Sequence, residues 1–219
     1  SAAEHLNVRE NVGLFDQSSF AKFRVQGPDA ARVLNHISAN DIDVAVGRIV
    51  YTQWLNDRGG IEADLTITRL GENDFLVVTG VGSQVRDFDW LTRNTPDDAR
   101  CVATDVTSAY AVFGVMGPKS RTLLQSLSPD DLSNDAFPFA HSREIELGYG
   151  LVRASRITYV GELGWELYVP SAWRRRSGIG GTISPSRKRQ SRPDSASPSK
   201  PRSPTLSAEM RSCGKRNPA

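Results

Sequence analysis

Glu62 and Asp64 stand two residues apart in the run Ile61-Glu62-Ala63-Asp64-Leu65-Thr66-Ile67-Thr68, where apolar and polar residues alternate. Successive side chains of an extended chain point to opposite faces, so the two carboxylates share a face with Thr66 and Thr68. Ile61, Ala63, Leu65 and Ile67 line the other face. Open to water, Asp64 is a plain solvated carboxylate. Covered by a second layer it becomes a proton acceptor, because burial raises a carboxylate's pKa toward the working range. The residues leave both readings open. Tyr51 and Asp57 belong to the same hairpin.

A second carboxylate stands out in Arg156-Ile157-Thr158-Tyr159-Val160-Gly161-Glu162-Leu163-Gly164-Trp165-Glu166. Two glycines three apart bracket Glu162, and a strand follows. A glutamate in such a tight loop can turn its carboxylate inward, where it would accept two hydrogen bonds from an aminopyrimidine ring. In an ordinary turn it is a surface acid. Other chemistries are excluded by what is missing. No GxGxxG follows a strand, and no GxxxxGK[ST], HExxH or GxSxG occurs. The histidines, His5, His36 and His141, have no metal-ligand spacing, so no metal site is expected.

These residues need a scaffold, and the chain supplies alternating and helical patterns for one. Residues 20–25 read as a strand. Gly27-Pro28-Asp29 then starts a helix, since Pro28 lacks a donor that the first turn would leave unpaired and Asp29 suits the positive end. Ala30, Val33, Leu34 and Ile37 form its apolar stripe. Residues 49–55 and 61–70 are strands joined by the turn Asn56-Asp57-Arg58-Gly59-Gly60, and 75–79 extends them into an antiparallel meander. Residues 83–94 read as a helix with Val85, Phe88 and Leu91 on one face. Strands follow at 101–106 and 110–116, then a helix opened by Gly117-Pro118 and running from 119 to about 127, then strands at 145–147, 149–155 and 165–169. Three helices with mixed and antiparallel strands and no repeating βα unit give an α+β fold. The strand–helix–strand order after 75 suits a split βαβ layer.

The composition divides in two. Residues 1–170 hold 15 Lys+Arg against 23 Asp+Glu, whereas 171–219 hold 12 against 2. The second stretch is rich in Ser and Pro, shows no apolar period, and is expected to be a disordered basic tail. Three origins for it are open: a nucleic-acid-binding arm, a plain tail, or a change of reading frame near Trp173. Aromatic stacking platforms are missing after Trp173, which argues against nucleic acid as a partner. No run of about eighteen apolar residues is present, so no membrane span is expected, and no signal peptide is expected either. Two cysteines without a CxxC point to a reducing compartment.

The wording of several segments resembles the aminomethyltransferase folate-binding domain family, which includes the glycine-cleavage T-protein and the C-terminal half of dimethylglycine and sarcosine dehydrogenases. The segments are Asn11-Val12-Gly13-Leu14-Phe15-Asp16-Gln17-Ser18-Ser19-Phe20, Gly47-Arg48-Ile49-Val50-Tyr51-Thr52-Gln53-Trp54-Leu55-Asn56, Gly59-Gly60-Ile61-Glu62-Ala63-Asp64-Leu65-Thr66, Asp105-Val106-Thr107-Ser108-Ala109-Tyr110, Gly114-Val115-Met116-Gly117-Pro118, and the loop from Tyr159 to Glu166. Gln17-Ser18-Ser19-Phe20 and the stretch 51–55 are closer to the dehydrogenases.

The resemblance implies a folate domain that binds tetrahydrofolate in a central cavity and accepts a one-carbon unit, giving 5,10-methylenetetrahydrofolate. By the same carry-over Asp64 is the catalytic aspartate, Tyr51 lines the cavity, Glu162 binds the pterin, and Tyr159 is a further cofactor-binding residue. It implies subdomains at 1–47 with 139–170 and at 48–138. Folate is then the expected ligand, and an FAD-dependent amine dehydrogenase domain or subunit, absent from this chain, the expected partner. The expected compartment is the cytoplasm, or the mitochondrial matrix in a eukaryote. The match stops at residue 170, before the family's later arginine and C-terminal barrel, so the fold is expected to be C-terminally truncated. A non-catalytic relative holding a partner through the basic tail, and an inactive fragment, are the competing expectations.

Overall fold

The computed structural model describes residues 1–172; the expected basic tail lies, from residue 173 onward, outside the described residues. The fold is α+β, built on two five-stranded antiparallel sheets. Four α-helices are described, α1 (Ala2–Glu10), α2 (Ala30–Ile37), α3 (Gln84–Arg93) and α4 (Ser120–Gln125). The strands are β1 (Gly13–Asp16), β2 (Ala21–Gln26), β3 (Ile49–Leu55), β4 (Ile61–Gly71), β5 (Asp74–Thr79), β6 (Val102–Asp105), β7 (Tyr110–Met116), β8 (Ser142–Leu147), β9 (Gly150–Ser155) and β10 (Gly164–Pro170). None of the described helices is long and apolar enough to cross a membrane.

One sheet runs β3-β4-β5-β2-β6 and the other β1-β7-β10-β9-β8. The first therefore draws its strands from 21–105, and the second from 13–16 and 110–170. This division differs from the expected boundaries at 47 and 139. β2 is hydrogen-bonded between β5 and β6, which fixes it in the first sheet, and β7 lies between β1 and β10 in the second. β5 and β6 are both antiparallel to β2 and so parallel to each other, with α3 making the crossover between them.

The apolar stripe of α2 is buried as its spacing requires: Ala30, Val33, Leu34 and Ile37 all face inward. Ala30, Leu34 and Ile37 pack with Phe23, Trp54, Phe75 and Leu91 against the first sheet. Trp165, Phe137, Leu124 and Val152 form the core of the second. Gly27, at φ +136, lets the chain turn from β2 toward α2. A Cβ there would run into the Arg100 carbonyl oxygen, so only glycine satisfies both the backbone angle and the packing.

Two expectations about helices need correction. α1 is a fourth helix that the pattern does not announce: none of its residues is buried, and a capping box between Ser1 and Glu4 holds its first turn. In α3 the inward residues are Asp87 and Leu91, with Phe88 and Trp90 partly buried, while Val85 is exposed. Asp87 takes the inward place near the helix start because its carboxylate accepts hydrogen bonds from the hydroxyls of Thr79 and Ser83.

Candidate functional site between the sheets

Alternation in β4 sends Ala63, Leu65 and Ile67 into the core and Glu62, Asp64 and Thr66 to the opposite face. Ile61, expected with the apolar set, is exposed at the strand's start. Residues 17–20 carry the chain from the second sheet to the first, and the polar face of β4 looks across this crossing toward β10. The space left is a cavity of about 530 Å³. The first sheet contributes Tyr51, Asp64, Thr66 and Thr79 to its wall, and the second Val112, Glu166 and Tyr168. Gln17, Phe20, Phe139, Thr158 and Tyr159 close it from the loops.

Asp64 and Tyr51 sit together on this wall. Gln53 is directly opposite Asp64 in the β3–β4 register, and its amide donates to Asp64 Oδ1 at 3.0 Å. The Tyr51 phenol is pushed above its ordinary pKa, chiefly by its hydrogen bond to Asp64, with the Asp64 charge adding to it. Tyr159 lies at the mouth, 78% exposed, with its ring edge-on to Phe20 at 6.4 Å between centroids. Phe139 and Tyr51 are also exposed there, so the rim is aromatic.

Glu162 is elsewhere. Gly161 adopts φ +79, and the loop presents Glu162 to α1, where Arg9 Nε lies 3.2 Å from its Oε1. It lines a separate cavity of about 350 Å³ with His5, Val8 and Phe15. The expected inward glutamate is therefore not Glu162: the turn at Gly161 carries its side chain away from Asp64 and Tyr51.

The carboxylate in the main cavity is Glu166, four residues on. Its strand alternates, with Trp165 and Leu167 in the core of the second sheet and Glu166 and Tyr168 on the cavity face. The signal was present in the sequence as an acid in a strand otherwise made of large apolar residues. The flanking Gly161 and Gly164 make Glu162 the more conspicuous acid of the segment. Tyr168 is buried and its hydroxyl donates to Glu166 Oε2 at 2.7 Å. Burial pushes the Glu166 carboxyl up, against the opposing pull of the Tyr168 hydrogen bond and the charge of Lys22. Burial, followed by the Glu166 charge, pushes the Tyr168 phenol well above its usual range.

Two of the residues lining this cavity carry a buried polar atom without a partner. Gln17 Oε1 and Thr158 Oγ1 are buried without a hydrogen bond, an arrangement that is costly unless a ligand or water completes it. Among the described residues no group of three or more His, Cys, Asp or Glu side chains is placed to hold a metal. The lining suits a flat polar heterocycle: one half-buried carboxylate for N–H groups, aromatic rings at the rim, and a second carboxylate on the other sheet.

The family model for the GCVT N-terminal domain matches residues 1–176. The chain belongs to that family. It is 50% identical over 171 residues to 4-methylaminobutanoate oxidase (formaldehyde-forming) of Paenarthrobacter nicotinovorans, covering 78% of this chain and 20% of that protein. It is 38% identical over 167 residues to the mitochondrial dimethylglycine dehydrogenase of Mus musculus, covering 76% of this chain and 19% of that one. The chain thus spans about a fifth of the length of these relatives. The crystal structure of the glycine cleavage system aminomethyltransferase T from Bartonella henselae superposes with a TM-score of 0.66 at 28% identity, covering 77% of this chain and 44% of that one. Mitochondrial dimethylglycine and sarcosine dehydrogenases are among its relatives, at 35–38% identity.

Proposed function

We propose that this chain is the tetrahydrofolate-binding part of a one-carbon-transferring enzyme of the dimethylglycine or sarcosine dehydrogenase type. The observation that carries the reading is the pair of carboxylates, Glu166 and Asp64, on opposite sheets of one cavity whose walls also hold unpartnered polar atoms. Bound there, tetrahydrofolate would supply the amines that take up a carbon at the formaldehyde oxidation level as 5,10-methylenetetrahydrofolate.

The chain's own residues divide the work. Glu166, ionised, accepts from the N–H groups of the aminopyrimidine edge, and Tyr168 fixes its orientation through Oε2. Tyr159 and Phe20 offer aromatic faces that exclude water. Asp64 holds a proton in transit on the opposite wall. Gln53 ties down its Oδ1 and so fixes the plane of the carboxylate. Tyr51, through its contact with Asp64, keeps that carboxylate aimed into the cavity.

Amine oxidation belongs in this reading to an FAD-dependent domain or subunit. The naming of the 50%-identical relative as a formaldehyde-forming oxidase supports a carbon delivered at that level. The word mitochondrial in the dehydrogenase relative's name supports a matrix location if the source is eukaryotic.

The test is anaerobic titration of the protein with tetrahydrofolate, followed by quenching of tryptophan fluorescence. Saturable one-to-one binding, competed by 5-formyltetrahydrofolate, is expected. Absence of saturable binding would remove the proposal.

A further inference from the structure

Lys22 is fully buried on β2. Lysine is almost never enclosed in this way without a carboxylate partner, and an enclosed charge costs several kcal/mol unless its donors are satisfied. Here the ammonium donates to the Ser18 carbonyl at 2.9 Å and the Phe20 carbonyl at 2.7 Å, and among the described residues it makes no direct ion pair. Packing alone would be served as well by methionine.

The placement gives a reason for the charge. The two carbonyls belong to residues 17–20, the crossing between the sheets that brings Gln17 and Phe20 to the cavity wall. The far side of this crossing is pinned to β7: Gln17 N–H donates to the Val112 carbonyl at 2.8 Å, and Val112 N–H donates to Ser18 Oγ at 3.0 Å. On the near side the pin is the Lys22 ammonium. The negative charges that face Lys22 are Asp105 from β6 and Glu166 from β10, one from each sheet. Facing Glu166 are Lys22 from β2 and Tyr168 from its own strand. Burial lowers the Lys22 pKa, and the two carboxylates oppose that.

We propose that Lys22 is a positioning residue of the cavity: its enclosed ammonium holds the wall formed by residues 17–20 and supplies the positive field behind the Glu166 carboxylate. The role rests on the folate reading for its biological meaning, but not for its test. Burial pushes the Glu166 carboxyl up, and the Lys22 charge, after the Tyr168 hydrogen bond, works against that push.

The experiment follows the Glu166 side-chain carboxyl by ¹³C NMR across a pH titration of the ligand-free protein, with the resonance assigned through Glu166→Gln. In Lys22→Met the Glu166 midpoint should rise, and the amides of residues 17–20 should exchange roughly tenfold faster. An unmoved Glu166 midpoint overturns the proposal, even where the loop loosens, since loosening alone is what a merely structural lysine would give. Should Lys22→Met not fold, the unmodified protein decides. A step in the Lys22 ¹³Cε shift at the Glu166 midpoint supports the coupling, and a flat trace there refutes it. A moved midpoint in a protein that binds no tetrahydrofolate would sink the folate reading and leave the Lys22–Glu166 coupling standing.

Discussion

Replacing Glu166 by glutamine should separate ring recognition from everything else in the cavity. The glutamine keeps the size of the side chain and one acceptor oxygen. It loses the charge and turns an NH₂ toward ring donors that the carboxylate had accepted. A hydrogen bond to a charged group contributes about 1.5–3 kcal/mol, and one of the two expected at Glu166 is lost outright. The affinity for tetrahydrofolate should therefore fall by about 2–3 kcal/mol, roughly 30- to 150-fold. Tyr168 remains able to donate to the amide oxygen, so the strand should not shift. The same substitution has a stability signature in its pH dependence. Burial raises the folded-state pKa of Glu166. Its contribution to folding is then present below the unfolded value, about 4.5, and is lost as pH rises through the folded value. That loss of stability with rising pH should be seen by urea unfolding in the parent and be absent from the variant. Glu162→Gln, in the Arg9 cavity, should leave tetrahydrofolate affinity within about twofold. Fluorescence titration of both variants under argon measures this. A large loss in Glu162→Gln with none in Glu166→Gln would refute the assignment of the cavity carboxylate.

Three further outcomes follow from the same geometry. Asp64→Asn should bind tetrahydrofolate within about threefold of the parent, while the protein-dependent rate of methylenetetrahydrofolate formation from formaldehyde falls by about 100-fold; an unchanged rate would remove Asp64 from the proton-handling role. Affinity for tetrahydrofolate should decline as pH falls through the Glu166 titration, which lies above 4.5, because the ring needs the ionised acceptor. Calorimetric titration at a series of pH values reads this, and affinity that holds steady through that range in the parent would speak against Glu166. Gly27→Ala should destabilise the fold by about 2 kcal/mol or more in urea, since φ is +136 and the added Cβ meets the Arg100 carbonyl oxygen; a loss below about 0.5 kcal/mol would contradict the packing given for that turn.

The parts of this fold most legible in the sequence are those where one face is apolar and the other polar. The stripe of α2 and the alternation of β4 each named their buried residues from spacing, with Ile61 the exception at the strand's exposed start. Where the buried position is polar, pattern reading fails for a physical reason. Asp87 displaces Val85 from the inward face of α3 because hydrogen bonds, not hydrophobicity, decide that turn. Lys22 passes for a solvent residue because its partners are carbonyls, which carry no sequence signature. The site was half legible. Tyr51, Asp64 and Tyr159 line one cavity. The glutamate was misread because Gly161 and Gly164 act separately. Gly161 supplies a positive φ that turns Glu162 toward Arg9, and Gly164 lets β10 start tight against Met116. The acid that remains on the cavity face is then fixed by strand alternation, not by the loop. Sheet membership was the least legible feature, since β2 and β7 join their sheets through hydrogen bonds to strands far away in sequence.

The central claim is that the cavity between the sheets seats a reduced folate with its pyrimidine edge at Glu166 and its reactive amines toward Asp64. A crystal structure of the protein with 5-formyltetrahydrofolate, which resists oxidation, tests it most directly. The pyrimidine ring should lie within hydrogen-bonding distance of Glu166, with Arg9 still paired with Glu162. Folate seated instead in the cavity beside α1, against Glu162, would contradict it.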